Sequence, residues 1–130
     1  MKIMVGYDGS NVSKDALTLA KEHAKAFNAF IHIVTSIDKG SEGETDEITD
    51  AEGALEYAKS LIDADSVECQ THLLVRGLST GEDLIDFAKE KEIDEIVIGI
   101  KKRSKVGKFL MGSTAQYVIL NAECPVLTVR

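Results

Sequence analysis

The 130-residue sequence has no tryptophan, and aromatic residues make up only 5% of the chain. This composition argues against an aromatic platform on which single-stranded nucleic acid would stack. The two cysteines, Cys69 and Cys124, are too few for a disulfide-stabilised scaffold. No apolar run approaches the roughly 18 residues of a membrane-spanning helix, and no signal-peptide pattern follows Met1. The sequence therefore predicts a cytoplasmic protein with reduced thiols.

The formal net charge is −7, from 22 acidic and 15 basic residues, which argues against general binding to a nucleic-acid backbone. This charge is unevenly distributed, because eleven acidic and only two basic residues lie between Asp38 and Glu68. A basic run without any acid follows later in the chain: Lys101, Lys102, Arg103, Lys105 and Lys108. We interpret the acidic stretch as a solvated loop and helix face, whereas the basic run is either a solvated loop or an anion site.

Apolar segments alternate along the chain between strand-like and helix-like patterns. Short apolar runs predict strands over residues 2–7, 30–36, 67–75, 94–99 and 126–130. Helical spacing predicts helices over residues 12–27, 48–62, 80–91 and 112–121. Ser10 and Ser79 are the expected N-caps of the first and third helices. Because helices separate continuously apolar strands, we predict one α/β domain over residues 1–130, a doubly wound five-stranded parallel sheet with helices on both faces.

The segment that follows the fourth predicted strand has the strongest features of a binding site. Ligands of open α/β sheets bind beyond the carboxyl ends of the strands. Gly99 ends this strand, and Gly112, Ser113 and Thr114 begin a helix thirteen residues later, after the basic run. Glycines let the backbone approach an anion closely, and a helix N-terminus presents unpaired N–H groups with a partial positive charge. Together these features fit a polyphosphate cradle.

Other motifs for phosphate chemistry fail on particular residues. A Walker A loop requires glycine where Lys102 stands and serine or threonine where Phe109 stands. The G-x-G-x-x-G dinucleotide fingerprint is missing from the first turn. A receiver domain would place a phosphoacceptor aspartate after the third strand, which here ends in Arg76-Gly77. An ATP-pyrophosphatase would carry an S-G-G-x-D-S loop, which the sequence also lacks.

Gly99, Lys102, Gly112 and Ser113 follow the spacing G-x2-G-x9-G-[ST], except that lysine replaces the second glycine. This pattern resembles the motif of the nucleotide-binding universal stress proteins. Further similarities extend along the whole chain: Asp8 after the first strand, Arg76-Gly77 after the third, and the closing segment over residues 124–129. The sequence is therefore similar to this family throughout its length.

The resemblance implies a sheet in the order 3-2-1-4-5 that binds ATP, ADP or AMP, usually with Mg²⁺ or Mn²⁺. With the basic loop included, the predicted nucleotide site has nine residues: Gly6, Asp8, Ser36, Gly99, Lys102, Arg103, Gly112, Ser113 and Thr114. By the resemblance, Gly6 and Asp8 would lie by the adenosine, and Ser36 would offer its backbone to the adenine edge. Gly99 would approach the ribose, and the last three residues would hold phosphates. The Lys102 side chain would either crowd the ribose-phosphate path or pair with phosphate.

The function implied by the resemblance is a regulatory, stress-response switch that responds to nucleotide occupancy. No general base or arginine finger can be named, so we expect no catalytic residues and slow or no hydrolysis. The alternative is a non-nucleotide interaction module of the same fold, in which the basic loop meets an acidic partner or a small anion. The last strand is an expected sheet edge, and its pairing with a second copy predicts a homodimer. Nucleic acid and membranes are not expected partners.

The histidines and cysteines are not predicted to form a functional site. His23, His32 and His72 lack metal-ligand spacing with one another or with the cysteines, so no metal site is predicted from them. Cys69 and Cys124 are expected to be buried as small apolar side chains.

Overall fold

A computed structural model describes residues 1–37, 44–100 and 111–130 of the chain. Within these ranges the elements are β1 (Lys2–Gly6), α1 (Asn11–Phe27), β2 (Phe30–Ser36), α2 (Glu44–Asp63), β3 (Cys69–Leu74), α3 (Thr80–Glu90), β4 (Glu95–Gly99), α4 (Ser113–Asn121) and β5 (Val126–Val129). The strands form a parallel sheet in the order β3-β2-β1-β4-β5. The predicted α/β architecture and the strand order that the resemblance implies are both confirmed.

Helices cover both faces of the sheet, which explains why its strands are apolar without alternation. On β1, Ile3 and Val5 are fully buried in the core that α1 and α2 complete. Met4, between them, is fully buried in the second core, beneath α3 and α4. Burying each such side chain contributes about 1.5–3 kcal/mol relative to leaving it exposed. The two cores thus hold the helices in place on both faces of the sheet.

The first and third helices begin at the serines that the sequence predicts as caps. Ser10 Oγ accepts a hydrogen bond of 3.2 Å from the backbone N–H of Ser13. Ser79 Oγ accepts one of 3.4 Å from the backbone N–H of Glu82. At its other end, α1 stops at Asn28, which adopts the left-handed conformation with φ 54°. The local capping chemistry that the sequence indicates is thus present.

The second helix and third strand differ from the prediction in their bounds. The prediction starts the second helix at residue 48, whereas α2 begins at Glu44. Thr45, Asp46 and Glu47 are exposed and show no apolar periodicity that would have marked them as helical. Strand β3 covers Cys69–Leu74, shorter than the predicted 67–75. The central parts of the predicted loops, residues 38–43 and 101–110, lie outside the described residues. Apolar periodicity therefore located each element but did not set its ends.

The expectation that both cysteines are buried is wrong, because both are only partly buried. Cys69 and Cys124 are free thiols of intermediate exposure, packed at the margins of the α1/α2 core and the α3/α4 core respectively. Cys69 begins β3 and Cys124 lies just before β5, and these two strands are the edges of the described sheet. Burial is the largest cause that raises the pKa of Cys69, to about 11, and it also raises the pKa of Cys124. Both thiols are therefore poor nucleophiles at neutral pH.

None of the helices in the described ranges combines the length and the apolar character that crossing a lipid bilayer requires.

Candidate functional site

A cavity of about 340 Å³ lies where β1, β2 and β4 end and where α1, α3 and α4 begin. Small-ligand sites in proteins span roughly 300–1,000 Å³. Its lining includes seven of the nine residues predicted from the sequence: Gly6, Asp8, Ser36, Gly99, Gly112, Ser113 and Thr114. Lys102 and Arg103 lie outside the described residues, as does the rest of the basic run. The fold thus brings together every predicted site residue that the structure describes.

The turn after β1 places a carboxylate at the cavity. Gly9 has a φ of +79°, a left-handed conformation that glycine adopts without strain. Asp8 Oδ1 accepts a hydrogen bond of 2.9 Å from the backbone N–H of Ser10, closing an Asx turn just before α1. Asp8 therefore shapes the turn and borders the cavity with the same side chain.

The N-terminus of α4 forms another part of the cavity wall. Its N-cap is Gly112, with φ −64° and ψ 157°, and this residue has no side chain to bond the first turn. A Cβ atom added to Gly112 would meet no described atom within 4 Å. The first backbone N–H groups of a helix lack intrahelical partners and carry partial positive charge. Ser113 and Thr114, in this first turn, add hydroxyl groups to a wall that can bind an anion.

Gly99 borders the cavity, and the structure shows why this position must be a glycine. A Cβ atom on Gly99 would lie 2.2 Å from Val12 Cγ1 and 2.8 Å from the Val12 carbonyl carbon. Glycine is therefore required for the first turn of α1 to pack against the end of β4. The sequence assigns Gly99 only a ligand role, whereas the structure shows a packing role.

Ser36 is held at the cavity by a buried network that the sequence analysis missed. The Ser36 hydroxyl donates a hydrogen bond of 2.7 Å to Asp83 Oδ2 on α3, and Asp83 is fully buried. Arg76 Nε donates to Asp83 Oδ1 at 2.5 Å, and Arg76 Nη1 donates to Glu90 Oε1 at 3.0 Å. The sequence held one signal for this network: Asp83 is an acidic residue directly before Leu84, on the apolar side of the predicted third helix.

The electrostatics of this network favour a charged guanidinium. Burial lowers the pKa of Arg76, but hydrogen bonds and charges from Asp83 and Glu90 raise it, and the net pKa lies above its ordinary value. Gly77, which follows Arg76, has a φ of +75°, a left-handed conformation that glycine adopts without strain. The Arg76-Gly77 turn thus aims a cation back at the start of α3.

Two of the three histidines, far apart in sequence, meet toward the other end of β2. His32 Nδ1 and His72 Nε2 are 2.8 Å apart across neighbouring strands, and the His72 ring lies 4.7 Å from that of Phe87. Burial, followed by the charges of His72, Lys91 and Lys2, lowers the pKa of His32 to about 4. Residues 1–37, 44–100 and 111–130 contain no group of three or more His, Cys, Asp or Glu side chains placed to hold a metal ion.

Comparisons with known proteins agree over the full length of the chain. The sequence model of the universal stress protein family matches residues 1–130. A curated universal stress protein of Methanocaldococcus jannaschii is 34% identical over 140 residues, which cover 99% of this chain and 81% of that protein.

Two solved structures share both fold and sequence with this chain. A universal stress protein from Archaeoglobus fulgidus superposes with a TM-score of 0.89 at 35% identity, covering 100% of this chain and 93% of that one. A universal stress protein of the same organism, in complex with dAMP, has a TM-score of 0.84 at 34% identity, covering 100% and 98%.

Proposed function

Because this chain belongs to the universal stress protein family, we propose that it binds ATP, ADP or AMP in the cavity at the carboxyl end of the sheet. In this proposal the protein is a regulatory, stress-response switch whose conformation or partner contacts change with nucleotide occupancy. The observation that carries it is the N-terminus of α4 at Gly112, which has no side-chain cap among the described residues and forms one wall of a ligand-sized cavity. A relative at 34% identity is described in complex with dAMP, which supports an adenine nucleotide as the ligand.

The orientation of the nucleotide follows from the two chemically different ends of the cavity. Phosphates are placed at Ser113 and Thr114, because the first turn of α4 offers N–H groups and hydroxyls to an anion. Adenosine is placed toward Gly6 and Ser36, at the ends of β1 and β2. Lys102 and Arg103 belong to the proposal on sequence alone, as cations for the phosphates.

The proposed metal enters with the nucleotide rather than occupying a site of its own. Asp8 is the one acidic residue among the described lining residues. Mg²⁺ binds through one or two carboxylates together with substrate phosphates, and it keeps several waters. Asp8 alone among the described lining residues could add a carboxylate, but we expect it by the adenosine, so the phosphates and water supply most of the oxygens for Mg²⁺ or Mn²⁺.

Binding without efficient turnover is the proposed behaviour. The described lining contains no histidine, lysine or arginine and only one acid, Asp8. Hydrolysis of a phosphoanhydride needs an oriented water and stabilisation of the developing charge. We therefore place slow or no hydrolysis, and no catalytic residue, in the proposal.

A homodimer through β5 completes the proposal. This strand forms one edge of the described sheet, and its residue Thr128 is exposed. An edge strand presents unpaired backbone groups that a second copy can bond across a two-fold axis. Mass measurement in solution tests this, and a monomer mass that does not change with concentration would rule it out.

A cytoplasmic location is also part of the proposal, and it is supported by Cys69 and Cys124 being separate free thiols.

Calorimetric titration with ATP, ADP and AMP, each with Mg²⁺, tests nucleotide binding directly. The expected result is saturable binding, together with nucleotide found by mass spectrometry in natively purified protein. Absence of binding by all three nucleotides would overturn the proposal. Binding of inorganic polyanions or acidic peptides in their place would favour the interaction module, to which the lysine at position 102 of the glycine motif also points.

A further inference from the structure

We propose that Asp83 makes the cavity selective for adenine over 6-oxo purines, by fixing the Ser36 hydroxyl as a hydrogen-bond acceptor toward the ligand. This inference rests on the proposed function, because it assumes that a purine nucleotide occupies the cavity. It assigns Ser36 as a specificity-determining residue and Asp83 as the positioning residue behind it.

The hydrogen bonds around Asp83 have only one consistent direction. A guanidinium has donors and no acceptor, so Arg76 Nε donates to Asp83 Oδ1. A carboxylate paired with arginine is ionised and accepts only, so Asp83 Oδ2 accepts the Ser36 hydroxyl hydrogen at 2.7 Å. Asp83 is fully buried, and water does not compete for either oxygen. The Ser36 hydrogen is therefore committed to the protein.

A serine hydroxyl has one hydrogen and two lone pairs. With its hydrogen given to Asp83, Ser36 has only lone pairs left for a ligand in the cavity that it lines. The exocyclic amino group of adenine is a donor and can satisfy such an acceptor. The 6-oxo group of hypoxanthine or guanine is itself an acceptor, and two acceptors facing each other leave both unsatisfied.

The sheet order places Ser36 where the base lies. Ser36 ends β2 and Gly99 ends β4, and β1 separates these strands. Neighbouring strands are about 4.8 Å apart, so Ser36 lies on the order of 10 Å across the sheet from the β4 side, where α4 begins. A nucleotide with its phosphates at the α4 N-terminus thus extends its base toward Ser36. Val34 and Leu84, which line the same cavity, provide apolar contact there.

Replacing Asp83 by asparagine reverses the direction of the bond to Ser36. The amide oxygen must face Arg76 Nε, because that nitrogen can only donate. The amide nitrogen then faces Ser36 and donates to its oxygen, which releases the hydroxyl hydrogen toward the cavity. The same serine would become a donor and would favour a 6-oxo base. A merely structural role of Asp83 predicts weaker binding of both bases and no reversal.

The test measures dissociation constants for ATP and for inosine triphosphate, each with Mg²⁺, by calorimetry. The wild-type protein should bind ATP at least tenfold more tightly than inosine triphosphate. In Ser36→Ala the preference should fall to within about threefold, and Ser36→Thr, which keeps the hydroxyl, should restore it. Asp83→Asn should prefer inosine triphosphate. Ser60→Ala, an exposed serine on α2 that does not line the cavity, is the matched control and should bind like wild type.

The outcomes separate this inference from the proposed function. If wild type binds ATP and inosine triphosphate equally, or if Ser36→Ala keeps the full preference, the inference is wrong while nucleotide binding stands. If wild type binds no ATP, the proposed function fails and the inference fails with it. Should Asp83→Asn not fold, as circular dichroism would show, the Ser36→Ala and Ser36→Thr pair decides the question by itself.

Discussion

Gly99 and Gly112 border the same cavity, yet they are glycines for different reasons. At the end of β4, the space a Cβ atom would need on Gly99 is already filled by Val12. At the start of α4, a Cβ atom on Gly112 would meet no atom of the described residues within 4 Å, and its φ of −64° suits any residue. Packing against the described residues thus requires glycine at the end of β4 but not at the start of α4, where the reason for a glycine can be a ligand. Whether a glycine of this motif serves packing or ligand binding can therefore be decided only from the atoms that surround the position its Cβ would take.

The sharpest test of this comparison is Gly99→Ala, for which we expect the largest effect. Because the added methyl group collides with backbone atoms of Val12, the free energy of unfolding should fall by about 2–3 kcal/mol. Urea denaturation measures it. Gly53→Ala is the control, since Gly53 is exposed on α2 and no described atom lies within 4 Å of an added Cβ. Its free energy of unfolding should rise by about 0.5–1 kcal/mol. A Gly99→Ala protein as stable as wild type would show that packing against Val12 does not require glycine at this position.

Gly112→Asp tests the other half. The new carboxylate can cap α4 itself, so the free energy of unfolding should stay within about 0.5 kcal/mol of wild type. It would also repel phosphates from the N–H groups it occupies, and the dissociation constant for ATP should rise by about a hundredfold, or about 2.7 kcal/mol. Gly112→Ser, which caps without charge, is the control and should lose much less affinity in the same calorimetric titration. Unchanged ATP affinity in Gly112→Asp would place the phosphates elsewhere.

The third test concerns the pH dependence of stability, which we attribute to His32, a residue away from both glycines. The pKa of His32, lowered to about 4 by burial and by the charges of His72, Lys91 and Lys2, lies below its unfolded value of about 6.5. The unfolded chain then binds more protons between these values, so the free energy of unfolding should fall as pH drops from about 6.5 to 4, by about 2–3 kcal/mol.

Urea denaturation across this pH range measures the dependence on His32. His32→Gln removes the titrating group and should flatten the profile, although His72, whose pKa is also lowered, keeps part of it. An identical profile in His32→Gln would assign the dependence to other groups. Nucleotide affinity at a fixed pH should be the same in both proteins, because His32 does not line the cavity.

The smallest expected effect comes from Ser79→Ala, which compares a capped helix with the open one. Ser79 closes the first turn of α3 with its own hydroxyl, in contrast to Gly112 on α4. Losing this cap should lower the free energy of unfolding by about 1 kcal/mol, whereas Ser79→Gly should cost only a few tenths. Thermal or urea unfolding distinguishes the two. Equal losses in both variants would mean that the hydroxyl is not what stabilises α3.

Much of the fold could be predicted from local patterns, because burial on one face of a helix or on both faces of a strand shows in a few neighbouring residues. The helix α1 and its cap at Ser10 were found in this way, whereas the exposed residues 45–47 in the first turn of α2 gave no such pattern. The cavity was anticipated in the same manner, since Gly99 and Gly112 stand at a strand end and a helix start.

The contacts behind the cavity could not be predicted, because they join residues far apart in the chain. Asp83 lies 47 positions from Ser36, and no spacing rule connects them. His32 and His72 are 40 positions apart and meet only because β2 and β3 are neighbours. Periodicity does not encode strand order, which here came from the family resemblance.

By itself, then, the sequence determined the kinds of elements, the two buried layers, the helix caps and the glycine- and lysine-rich segment that points to an anion. Only the tertiary structure decided which glycine serves packing, which carboxylate holds Ser36 and which way that hydroxyl donates. The physical reason is range: propensity, capping and periodicity act within a few residues, whereas close packing and directed hydrogen bonds depend on which distant atoms the folded sheet brings together.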